Sequence, residues 1–118
     1  MKNYEKAGLK MEVMNILLIE ENIKDASLIE KHLTSIKELS IRLEHFTQLN
    51  EAGEYLLHNS ASIILLVMNH SDVNELEKVR RTRKIAPSLP IVVLLKSPDK
   101  EFGLLAINVG ADDYLLKD

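Results

Sequence analysis

Five short apolar runs, NILLIE, IRLEHFT, IILLVM, IVVLL and DYLLK, follow one another from Asn15 onward. The longer segments between them repeat their apolar residues every three or four positions. A short run bounded by polar residues has the character of a strand, and the three-to-four spacing is the stripe of a helix lying on a sheet. Strands that alternate with helices pair in parallel through right-handed crossovers. The pattern therefore predicts an α/β fold: a doubly wound, five-stranded parallel sheet with helices on both faces.

Within that frame, Ala26, Ile29, Leu33 and Ile36 form the stripe of a first helix. A second covers about Asn50 to His58, with Ala52, Leu56 and Leu57 facing inward. The third starts near Asn74, carries Leu76, Val79 and Ile85, and must stop near Pro87 and Pro90. SPDKEFGLLAINVG predicts a fourth, with Pro98 in its first turn, Phe102, Leu105 and Val109 inward, and Gly110 as its C-terminal cap. IILLVM is apolar on both faces, as a central strand covered on each side is, whereas IRLEHFT alternates as an edge strand does. Residues 1–14 read as a polar lead-in and 15–118 as one domain. The helix expected after the fifth strand is absent from the sequence, so part of one face is expected to be bare and the chain to be a fragment of a longer protein.

At 118 residues, 46% hydrophobic and 28% charged, the chain has the composition of one globular unit. A net charge of -3 gives no global attraction to nucleic acid or to an anionic membrane. No apolar run approaches the roughly 20 residues that span a bilayer. The absence of cysteine excludes disulfides, thiolate nucleophiles and Cys-based zinc sites, and agrees with a cytoplasmic location.

In a doubly wound sheet the site lies beyond the carboxyl ends of the strands, where strand order reverses. Those ends carry Glu20 and Glu21, Val67 to His70, Leu95 to Ser97, and Lys117. Adjacent carboxylates can bind a hard cation such as Mg²⁺, although an isolated Glu-Glu pair is more often a solvated strand end. The run KVRRTRK, Lys78 to Lys84, is best read as a solvated helix face, with Glu77 four residues before Arg81. The four histidines have no metal-ligand spacing, and neither a Gly-rich phosphate loop nor a GxSxG nucleophile motif occurs.

Together, NILLIEEN, IILLVMNHSD, LPIVVLLKS and GADDYLLKD resemble the successive strand motifs of the receiver domains of two-component response regulators, over about Asn15 to Lys117. GADDYLLKD is the most specific of them. The resemblance implies a CheY-like fold. In that family an acidic pair and an aspartate ending strand three hold Mg²⁺, and that aspartate accepts a phosphoryl group from a histidine kinase. A Thr or Ser after strand four and a lysine after strand five contact the phosphate. Carried over, Glu20 and Glu21 fall on the acidic pair, Lys117 on the lysine and Tyr114 on the switch aromatic.

Val67 falls where the acceptor aspartate belongs and Leu95 where the Thr or Ser belongs. Leu95 follows Val67 by 28 residues and Lys117 by 50, which resembles the family spacing. Placing Asn69 or Asp72 at the acceptor position shortens both intervals. A valine cannot take a phosphoryl group and removes a metal ligand, so any Mg²⁺ site is expected to be weak and no cofactor to be required. Lys117 is then expected to pair with Glu20 or Glu21, and Tyr114 to hold one position.

The reading that results is a degenerate receiver, not an enzyme. It would act independently of phosphorylation as a protein-interaction or dimerisation module through its fourth helix and fifth strand. Its partners would be signalling proteins or a second copy, with no membrane or nucleic acid bound by this domain itself. Two alternatives are a working receiver that uses an off-register carboxylate such as Asp72, and a small-molecule-binding α/β domain.

Overall fold

A computed structural model describes residues 13–116. In chain order the elements are β1 (Val13–Ile19), α1 (Ile23–Thr34), β2 (Ser40–Phe46), α2 (Leu49–His58), β3 (Ile63–Met68), α3 (Val73–Ile85), β4 (Ile91–Leu95), α4 (Lys100–Asn108) and β5 (Asp113–Leu116). All four strand pairings are parallel, and the order across the sheet is β2-β1-β3-β4-β5. This is the expected doubly wound fold, with strand order reversing between β1 and β3. Val13 and Met14, assigned from sequence to the lead-in, belong to β1. The remainder of the lead-in and Lys117 lie outside the described residues.

Alternate residues of the central strands serve opposite faces. Leu17, Ile19, Ile64, Leu66, Met68, Ile91, Val93 and Leu95 join Ala52 of α2, Val79 of α3, and Phe102 and Ala106 of α4 in the main core. On the other face Leu18 and Val67 meet Ala26 of α1, with Leu43, Leu65 and Leu94 packed around them. Leu115, on this second face of β5, is exposed.

Three helices start on an Asx cap, whose oxygen accepts one of the unpaired first-turn N–H groups. Asn22 accepts from Asp25 N at 3.0 Å, Asp72 from Glu75 N at 3.1 Å and Asp99 from Phe102 N at 3.0 Å. Pro98 therefore precedes the cap of α4 and is not in its first turn. Gly110 ends α4 as expected, at φ +139°, a left-handed backbone that favours glycine.

Several residues assigned inward face solvent. Leu57 is 76% exposed and Leu105 49%, and Ile85 and Ile36 are also exposed, Ile36 lying beyond the end of α1. Ala52, Val79 and Phe102 are buried as expected, joined by Leu49 on α2, Glu75 and Thr82 on α3, and Gly103 and Ala106 on α4.

Candidate functional site

The acidic pair splits at the end of β1. Glu20 still belongs to the sheet's pattern, its N–H donating to Phe46 O at 3.0 Å, and it is 1% exposed. Its Oε1 accepts from Asn22 N at 2.9 Å and from Asn69 Nδ2 at 3.2 Å. His45 Nε2 lies 2.8 Å from the Glu20 carbonyl. Glu20 Oε2 and Asn69 Oδ1 are buried without a hydrogen-bond partner among the described residues.

Glu21 turns away, toward α3. Lys78 Nζ lies 2.5 Å from Glu21 Oε1 and 2.7 Å from Glu75 Oε2, so one ammonium joins carboxylates from two elements. The hydrogen bond from Lys78, reinforced by its charge, holds the Glu21 carboxyl below its usual 4.5. Burial works against the Lys78 ammonium, but hydrogen bonds to Glu21 and Glu75 outweigh it and raise its pKa above 10.5. Glu75 is buried. Its Oε1 accepts from Asn69 N at 3.2 Å and His70 N at 3.3 Å, fixing the loop that leaves β3.

A second lysine crosses the rim from the opposite side. Lys96, one residue beyond β4, places Nζ on Asp25 Oδ2 in α1. The bridge thus ties the end of β4 to the helix that follows β1, and β1 and β4 are the two strands that flank β3 in the sheet. The bond to Asp25 outweighs desolvation and raises the Lys96 pKa, with the charges of Asp25 and Glu20 acting in the same sense.

Val67 is the penultimate residue of β3, packed with Leu18 and Ala26. Leu95 ends β4 opposite Met68, in the main core. Tyr114 is half-buried on β5, and its ring lies against Gly103 of α4, where an added Cβ would fall 2.6 Å from it. Lys117, expected to neutralise the acidic pair, lies outside the described residues, and the cation found on Glu21 is Lys78. Asp72, the off-register candidate, caps α3.

KVRRTRK is not one solvated face either. Glu77 pairs with Arg80 at 3.0 Å and not with Arg81, Lys78 closes the rim, and Arg83 binds the carbonyls of Gly110 and Leu89 at 2.9 and 2.8 Å. The roles of Glu75, Lys78 and Lys96 escape a reading by motif. Glu75 alone left a signal, because Asp72-Val73-Asn74-Glu75 has the spacing of a capping box.

A cavity of about 580 Å³ opens beside the rim, lined by Ile19, Glu21, Thr47, Leu66, Lys78 and Arg81 among others. Mg²⁺ demands near-octahedral oxygen coordination and is usually held through one or two carboxylates. Here one carboxylate oxygen and one amide oxygen lack partners, Glu21 is taken by Lys78, and Val67 offers no ligand. No group of three His, Asp or Glu among the described residues is arranged to hold a metal. The side chains present do not fit a divalent cation.

No family model matches the chain. The response regulator ArlR of Staphylococcus haemolyticus is 32% identical over 104 residues, which are 87% of this chain and 45% of that protein. The transcriptional regulatory protein PhoP of Escherichia coli K12 is 29% identical over 88% of this chain and 45% of its own length. The chain thus spans about half the length of the curated relatives it matches. Among solved structures, HP1043, an orphan response regulator of H. pylori, is 31% identical with a TM-score of 0.61, and the match covers 88% of this chain and 82% of that one.

Proposed function

The chain belongs to the receiver-domain family of two-component response regulators, and on that premise we propose that it works without being phosphorylated, as a protein-interaction or dimerisation module. The observation that carries this reading is Val67, an aliphatic side chain buried near the end of β3 with Leu18 and Ala26. Phosphoryl transfer to a receiver needs a carboxylate oxygen as nucleophile, with cationic charge placed to stabilise the transferring group. The nearby carboxylates make bonds within the chain: Glu20 through Oε1 with Asn22 and Asn69, Glu21 and Glu75 with Lys78, and Asp72 with the start of α3. Leu95 in the main core adds a second aliphatic group where the family has a hydroxyl. Support for an interaction module comes from α4 and β5, which expose Leu104, Leu105, Ile107 and Leu115.

Incubation with acetyl phosphate and Mg²⁺ followed by intact mass measurement tests the reading. The expected result is an unchanged mass. A stable gain of one phosphoryl group would sink it, and repetition on Asp72→Ala would then show whether that residue carries the group.

A further inference from the structure

Two lysines from different elements converge on the acidic rim of this sheet. Lys78 comes from α3 and joins Glu21 to the buried Glu75. Lys96 comes from the end of β4 and joins α1 through Asp25, with the charge of Glu20 also acting on its ammonium. Bridging carboxylates of separate elements and bracing the loop after β3 is the work of a bound cation. We infer that Lys78 and Lys96 permanently take the electrostatic place of a divalent cation, so that the rim is closed by ion pairs within the chain and is indifferent to Mg²⁺.

The competition favours the lysines on three counts. Each ammonium is tethered, so it pays none of the association cost that a free ion pays. Mg²⁺ dehydrates reluctantly, and among the buried side-chain oxygens of the described residues only Glu20 Oε2 and Asn69 Oδ1 lack a partner. To take over Glu21 Oε1 it must also displace Lys78, which would strand Glu75 as a buried charge beside the N–H groups of Asn69 and His70. Glu75 therefore acts as a positioning residue: its two oxygens tie the loop after β3 to the same lysine that neutralises Glu21.

This concerns the same site as the phosphorylation-independent reading and deepens it, yet the two can fail separately. Thermal melts of the chain in MgCl₂ and in NaCl of equal ionic strength should agree within about 1 °C for the wild type. Lys78→Met and Lys96→Met should each gain a Mg²⁺-specific rise of about 2 °C or more, as the ion replaces the positive charge removed from the acidic rim. A rise in the wild type equal to that of the variants, or none in a folded variant, overturns the inference. Should Lys78→Met not fold, Lys96→Met carries the same comparison. Mn²⁺ titration of the wild type by NMR adds an arm that needs no variant: the amides of Asn22 and Asn69 should not broaden selectively, and selective broadening overturns the inference. A Mg²⁺ response with no phosphoryl gain defeats this inference and spares the proposed function, whereas a phosphoryl gain does the reverse.

Discussion

Val67 and Glu20 sit at the same end of the sheet, 3% and 1% exposed, and the stability of one depends on the chemistry of the other. Glu20 is a buried carboxylate whose Oε1 is satisfied by two N–H donors and whose Oε2 is not. An aliphatic neighbour on β3 adds no charge beside it, whereas a carboxylate there would add like-charge repulsion to a desolvation cost. Val67→Asp is therefore expected to destabilise the fold by about 2 to 5 kcal/mol near pH 7.5. The loss should shrink toward pH 5, because protonating the introduced carboxyl removes the repulsion. Val67→Thr keeps the volume and adds only a hydroxyl, at about 1 to 3 kcal/mol if that hydroxyl finds no partner. Urea denaturation of the three proteins checks the order, and a Val67→Asp protein as stable as the wild type at pH 7.5 would show the pocket to be far more polar than its lining.

Among the elements, α4 and β5 meet at a glycine. The Tyr114 ring rests on the backbone of α4 at Gly103, and any Cβ there would stand 2.6 Å from ring carbon. Alanine normally favours a helix over glycine by up to about 1 kcal/mol. Here that gain is outweighed by overpacking of about 1 to 3 kcal/mol. Gly103→Ala should thus destabilise the wild type and be neutral or stabilising in Tyr114→Ala. Equal effects in both backgrounds would mean that the ring swings aside freely, against the expectation that Tyr114 holds one position. The same contact explains what could be read from the sequence. The strands and the existence of every helix were legible because alternation and three-to-four spacing are local signals. Which face turned inward was less so. Close-packed helices put Ala52, Gly103, Ala106 and Thr82 against the sheet, while larger apolar residues of the same helices, Leu57 and Leu105, faced out.

Across the whole molecule, each end of the sheet is tied by residues far apart in the chain. Lys78 and Glu21 are 57 positions apart and Lys96 and Asp25 are 71, separations over which periodicity carries no information. That is why the rim's acids were legible and their partners were not. The opposite end is held by Arg83. Its Nε donates to Gly110 O, its Nη1 to Leu89 O at 2.8 Å, and its Nη2 to Asp112 Oδ2 at 2.6 Å, joining α3 to the turns before β4 and β5. The Ile91 N–H, 2.8 Å away, and then Arg83 hold the Asp112 carboxyl below its ordinary 3.8, although burial opposes them. A carboxyl with a lowered folded pKa contributes stability that is complete above about 3.8 and is lost as pH falls through the lower folded value. The Asp112 side chain is 54% exposed, so solvent screens the Arg83 attraction and the contribution is modest. Asp112→Asn keeps an acceptor for Ile91 N–H and removes the charge. It should be less stable than the wild type at about pH 6, and the gap should close as both are acidified to about pH 2.5. Urea midpoints across that range decide it: curves that stay parallel would mean that the charge of Asp112 contributes nothing and that its hydrogen bond to β4 is the whole of its role.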